Sequence, residues 1–282
     1  MIAWSQRALG GLLAAGLVAG GGGAAQHPLC TVTTGIVRLP GVEEASGVAF
    51  SRRNPGTIWS HNDSSGPELF AFDQSGHARG RVQVTGASVT DWEDLAAGPC
   101  REGSCLYIAD IGDNHHVRPN IVVYRVPEPR PDDTMTESVE PWVLAYPDGP
   151  RDAEALFVTS TGRLFLVSKA NADQTALYRL PVPDSASSGR LEYVAQLPLD
   201  RVTGADASPD GRWVALRTHT ELLFYHADDL LTGKTTQPRR FDLRPLNEHQ
   251  GEGVAFGPDG LVYLVGEGGR SGTLATVRCS LR

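Results

Sequence analysis

The chain has 282 residues, with 33 acidic against 25 basic side chains and a formal net charge of −8. That balance argues against general nucleic-acid binding, which depends on neutralising phosphates, and suits cation binding instead. With 32 glycines, 19 prolines and few long helical patterns, the composition calls for many turns and short strands.

Taken from the start, Met1 to Gly23 carries one basic residue, Arg7, then an apolar run from Leu9 to Gly20 and a small-residue stretch through Ala24 and Ala25. This is the layout of a secretory signal, expected to be removed as residues 1–25. The run is shorter than the roughly 20 apolar residues of a spanning helix and is diluted by glycine, so a membrane anchor fits less well. The mature chain, residues 26–282, is expected to be a single domain without a membrane span, monomeric, and periplasmic or secreted. Four cysteines suit an oxidising compartment. Cys100 and Cys105 bracket a four-residue loop, which leaves Cys30 near the start of the mature chain to pair with Cys279 near its end.

Five segments share one pattern, an oxygen-bearing residue followed by small and apolar residues entering a strand. In order they begin at Ser46 (Ser-Gly-Val-Ala-Phe), Glu93 (Glu-Asp-Leu-Ala-Ala), Glu154 (Glu-Ala-Leu-Phe-Val), Thr203 (Thr-Gly-Ala-Asp-Ala) and Glu252 (Glu-Gly-Val-Ala-Phe). Their spacings are 47, 61, 49 and 49 residues, and the long interval holds the Pro127–Asp133 loop as an insertion. The 30 residues after Glu252 and the 16 from Cys30 to Ser46 together make close to one period. A period split between the chain ends is what a closed ring requires. Each unit continues with β-rich runs such as Thr57-Ile-Trp-Ser, Arg163-Leu-Phe-Leu-Val and Leu261-Val-Tyr-Leu-Val, several preceded by turn sequences such as Pro209-Asp-Gly. The expected fold is all-β: a five-bladed β-propeller with four-stranded blades, closed by pairing of N- and C-terminal strands.

The innermost strand of each blade lines the channel, so Ser46, Glu93, Glu154, Thr203 and Glu252 are expected to converge. Three carboxylates in a narrow space repel one another unless they are protonated or paired. No basic residue occupies the equivalent positions, and a hard divalent cation would resolve the repulsion. Calcium, with six to eight oxygen ligands, fits better than magnesium or zinc.

These five residues in their contexts resemble the calcium-activated nucleotidases, the soluble apyrases. The carrying motifs are Glu-Ala-Ser46-Gly-Val, Trp-Glu93-Asp-Leu-Ala, Ala-Glu154-Ala, Thr203 where the family usually has serine, and Gly-Glu252-Gly-Val-Ala-Phe. The resemblance implies a five-bladed propeller with a calcium ion in its channel and hydrolysis of nucleoside di- and triphosphates at a nearby face. Asp110-Ile-Gly-Asp-Asn departs from the family at that loop. The chain also resembles a group of uncharacterised secreted bacterial propellers, which share His61-Asn-Asp-Ser-Ser-Gly, Asp91-Trp-Glu-Asp-Leu and Asp110-Ile-Gly-Asp-Asn; that likeness implies no reaction.

A second set, Asp63, Asp110, Lys169, Arg217 and Glu267, follows each channel residue by 14 to 17 positions. It is expected to form a rim at the same end of the channel, joined by Asn62, Asp113, Asn114 and His249. In a phosphohydrolase, Lys169 and Arg217 would hold phosphate oxygens while Asp63 or Asp110 served as base for a water. The alternative is a non-enzymatic propeller in which calcium is a structural pin and the face binds an extracellular protein or glycan. A lactonase-like propeller is disfavoured by the five-fold count.

Overall fold

The computed structural model describes Met1 and residues 28–101, 103–171, 173–181 and 188–281, so residues 2–25 of the expected leader lie outside the described residues. After β1 (Cys30–Leu39) the chain builds a first blade from β2 (Ala45–Phe50), β3 (Thr57–Asn62), β4 (Glu68–Asp73) and β5 (Ala78–Gln83). The second blade is β6 (Trp92–Cys100), β7 (Gly103–Asp110), β8 (Ile121–Pro127) and β9 (Glu140–Ala145). The third contains β10 (Ala153–Val158), β11 (Leu164–Ser168) and β12 (Ala176–Arg179). Here β13 (Ser188–Arg190) crosses back to pair in parallel with β9, giving the second blade a fifth strand, before β14 (Glu192–Gln196) completes the third. The fourth is β15 (Val202–Ala207), β16 (Trp213–Thr218), β17 (Glu221–His226), the short helix α1 (Ala227–Leu231) and β18 (Arg239–Asp242). The fifth takes β19 (Gln250–Phe256), β20 (Leu261–Glu267) and β21 (Gly272–Cys279), and β1 returns as its outer strand.

The inner strands contact one another in a closed cycle, β2 to β6 to β10 to β15 to β19 and back to β2. This is the five-bladed propeller the repeat arithmetic predicts. Second strands such as β3, β11 and β16 are buried at every position, because both faces of a blade pack against neighbouring blades. β11 therefore reads as a continuous apolar run rather than as alternation, while β3 and β16 also bury polar side chains such as His61 and Arg217. Outer strands such as β18 face solvent and are polar. Three of the five repeats carry glycine just after the channel residue, and close approach explains it. A Cβ on Gly47, Gly204 or Gly253 would lie 2.5, 2.6 or 2.7 Å from the backbone of the next inner strand.

The seam is antiparallel pairing of β1 with β21, running from Cys30 opposite Cys279 to Leu39 opposite Gly272. The Cys30–Cys279 disulfide lies at its end, and Cys100–Cys105 closes the β6–β7 hairpin, both as expected. Among the described residues no helix is long and apolar enough to cross a membrane.

The insertion after β8 is tied to the first blade through Glu128, which is 0% exposed. Its carboxylate accepts from Ser51 Oγ, from the Arg53 backbone at 3.1 Å, from Trp59 Nε1 at 3.0 Å and from Ser104 Oγ at 2.6 Å. A buried charge is tolerated there because donors from two blades surround it. Glu128→Ala is expected to lower unfolding free energy by about 3 kcal/mol or more, since it orphans several buried donors; denaturant titration measures it. Replacing Cys30 and Cys279 together by serine releases a seam spanning 249 residues. On chain-entropy grounds this is expected to destabilise by about 5.5 kcal/mol, and an unchanged midpoint would contradict the sealing role.

Candidate functional site

All five repeated positions are buried on the inner strands, near the ends through which the chain enters them. The two hydroxyls act between blades. Ser46 Oγ donates to the Glu93 carbonyl at 2.7 Å, and Thr203 Oγ1 lies 3.0 Å from the Glu252 carbonyl. The three glutamates are only partly satisfied, with Ser46 Oγ 3.4 Å from Glu93 Oε2. Glu154 Oε2 and Glu252 Oε1 are buried carboxylate oxygens with no hydrogen bond.

The sequence places no basic group at the ring, but the structure does. Lys169, just past β11, sets its ammonium on Glu154 Oε1, and its charge also reaches Glu252 and Glu93. It is therefore a counter-ion inside the channel mouth rather than a free group on the rim. One ammonium does not neutralise the cluster. Burial pushes Glu93 up to about 10, with the charges of Glu154, Asp91 and Asp152 adding to the effect. Burial likewise pushes Glu154 up to about 8 and Glu252 up to about 7, against the pull of Lys169.

Asp91 and Asp152 were not singled out from the sequence, although a signal was present. The residue two before each channel position is Glu44, Asp91, Asp152, Arg201 or Gln250, a second register that β alternation sends to the same side. Asp152 Oδ1 accepts the Asp113 backbone N–H at 2.8 Å. Asp91 and Glu93 crowd Gly112 so closely that a Cβ there would stand 2.3 Å from an oxygen of each. Gln250 Nε2 reaches Glu267 Oε1 at 3.2 Å.

Deeper in the channel lies Asp94, also missed and 0% exposed. Its Oδ2 accepts backbone N–H groups from Leu156 at 2.8 Å and Ala205 at 3.3 Å, linking the second blade to the third and fourth. Burial holds its carboxyl well above the ordinary carboxylate range. Asp206 plays the same part for the Phe256 N–H at 2.7 Å. Innermost strands present an unpaired edge to the channel, and these carboxyls satisfy it.

The expected rim is only partly assembled. Asp63 stands against Glu44, and burial followed by that contact pushes it up to about 7, while Glu44 is drawn down; Ser64 Oγ donates to Glu44 at 2.6 Å. Asp110, expected as a base, is buried and committed: it accepts from the Thr90 backbone at 3.0 Å and pairs with Arg118 at 2.8 Å. Asp113 accepts the Val117 and Arg118 backbone N–H groups, each at 2.9 Å, and shapes a turn that leaves Asn114 exposed. Asn62 is buried and accepts the Glu44 N–H at 3.0 Å. His249 is exposed, and Glu267 is half-buried beside Gln250.

Arg217 corrects the phosphate expectation most directly. It is 0% exposed, donates to the carbonyls of Gly253 and Val265 at 2.8 Å each, and pairs with Glu248 at 2.5 Å. Its position at the end of a second strand was legible, but a neighbouring acid and two open carbonyls draw it under the surface. Of the two predicted phosphate ligands, one is thus buried and the other held on a glutamate.

No family model matches the chain, and no curated protein matches it. Solved structures do. A PQQ-bound aldose sugar dehydrogenase from Streptomyces coelicolor superposes with a TM-score of 0.54 at 13% identity, over 89% of this chain and 98% of that one. A soluble aldose sugar dehydrogenase from Escherichia coli in its apo-form gives 0.53 at 13%, over 88% and 100%. A gluconolactonase from Xanthomonas campestris gives 0.50 at 12%, over 87% and 89%. At such identities the likeness is one of fold. The apyrase resemblance rests on the five short motifs, and these neighbours carry other activities in their names.

The channel carboxyls set a pH dependence. Glu252 and Glu154, at about 7 and about 8 in the folded chain against an ordinary 4.5, keep protons that the unfolded chain has released. The folded state therefore binds more protons through this window, and stability falls as pH rises. In chelator, the melting midpoint is expected to drop steadily between about pH 5 and pH 8; a midpoint that rises across that range would contradict the assignment.

Proposed function

We propose that this chain is an exported propeller that binds calcium in the acidic mouth of its channel and engages ligands at that face without phosphoryl-transfer chemistry. The carrying observation is the pair of buried, unpartnered oxygens on Glu154 and Glu252 beside Glu93. Buried carboxylate oxygens without donors favour a cation.

The donor chemistry fits calcium. Glu93, Glu154 and Glu252 offer carboxylates, and the hydroxyls of Ser46 and Thr203 keep acceptor lone pairs after donating to carbonyls. Asp91 and Asp152 add charge from just outside. Among the described residues no three acidic, histidine or cysteine side chains already stand close enough to ligate a metal, and Lys169 stands on Glu154. The ion would replace that ammonium and draw the three glutamates together, joining three blades. Bound there, calcium would supply charge neutralisation and open coordination positions toward the mouth. Two formed disulfides suit an oxidising compartment outside the cytosol, periplasmic or secreted.

A phosphohydrolase gains no support from the arrangement. Arg217 is buried and Asp110 is ion-paired, so neither is available for the phosphate-binding and base roles expected of it. The non-enzymatic reading, with an extracellular protein or glycan as ligand, is the better supported of the two.

Calcium at about one hundred times its dissociation constant is expected to stabilise the mature protein by about 2.7 kcal/mol relative to chelator. Glu154→Gln with Glu252→Gln should remove that gain. A melting midpoint identical in calcium and in chelator would end the proposal. Phosphate release from a nucleotide panel is expected to stay at buffer level, and calcium-dependent release would restore the hydrolase.

A further inference from the structure

At the opposite end of the channel the inner strands run out into a cavity of about 350 Å3. Phe50, Ala97, Pro209 and Phe256, from the first, second, fourth and fifth blades, supply much of an apolar wall. Two charged side chains break that wall, Arg52 and Asp206.

Each is placed by the fold. Asp206 Oδ1 accepts the Ala207 N–H at 2.8 Å and Oδ2 the Phe256 N–H at 2.7 Å, which fixes the carboxyl while leaving lone pairs open. Burial pushes this carboxyl up to about 7, and the Arg52 charge draws it down. Glu128 holds the Arg52 backbone N–H at 3.3 Å. Among the described residues the exposed Arg52 guanidinium makes no side-chain hydrogen bond or ion pair. The mouth thus offers a fixed acceptor and a free planar cation on one apolar cavity.

We propose that this cavity binds a small zwitterion with an apolar body, an apolar α-amino acid, with its ammonium on Asp206, its carboxylate on Arg52 and its side chain between Phe50 and Phe256. The size is ordinary for a small-ligand site. Charge selects the class. A neutral apolar molecule would desolvate both charged groups without pairing them, an amine alone would face the Arg52 charge, and a carboxylate alone would face Asp206. A guanidinium suits a carboxylate because its fork can donate two parallel hydrogen bonds.

Titrating the mature protein with L-phenylalanine, followed by NMR or calorimetry, tests this against glycine, 2-phenylethylamine and 3-phenylpropionate. L-phenylalanine is expected to bind saturably and roughly tenfold or more tighter than each of the other three. Arg52→Ala, at an exposed side chain, should keep the fold and weaken L-phenylalanine by roughly tenfold. In Asp206→Asn, if it folds, 3-phenylpropionate should bind as well as L-phenylalanine. Lack of saturable L-phenylalanine binding into the millimolar range would overturn the proposal. So would 2-phenylethylamine binding equally well, or Arg52→Ala leaving the affinity unchanged.

Discussion

Five strands that meet around one axis each leave a backbone edge without a neighbour, and the rest of the molecule is arranged around that deficit. Buried N–H and C=O groups need partners. Side chains of the inner strands supply several of them here. Ser46 and Thr203 reach carbonyls of the following blade, and Asp94 and Asp206 gather N–H groups from other inner strands. The same closeness admits only glycine at positions 47, 204 and 253. Polar residues in this channel therefore serve the ring before they serve any ligand.

That division separates the two groups of channel carboxyls. Asp94 and Asp206 accept hydrogen bonds from backbone, so their burial is compensated. The three glutamates at the mouth are not, and one ammonium is shared among them. That ammonium offsets part of the charge, and the uncompensated oxygens are what the calcium proposal rests on.

The two mouths differ in chemistry for a topological reason. At one end the strands begin with acidic residues in two registers, such as Asp91 with Glu93 and Asp152 with Glu154. At the other they end in Phe50 and Phe256, where turns such as Ser51-Arg52 and Pro209-Asp-Gly start. An acidic mouth and an apolar, two-charge mouth are thus separated by a channel that Asp94 crosses. The insertion held by Glu128 also reaches the second mouth, because Glu128 holds the Arg52 backbone.

The period, the ring closure, both disulfides and the five channel positions could be read from the chain alone. Each is a local pattern repeated at a fixed interval, and a split period needs only counting to reveal a ring. The partners of the long charged side chains could not be read this way. Arg217 beneath the surface with Glu248 and the donors around Glu128 join different blades, while Lys169 meets Glu154 and Asp110 meets Arg118 within one blade. Sequence spacing placed these groups near the channel, but only packing decided whether each would meet solvent, a backbone carbonyl or an opposite charge. A buried charge takes whichever partner its own blade or the next one presents, and that choice exists only once the side chains have packed.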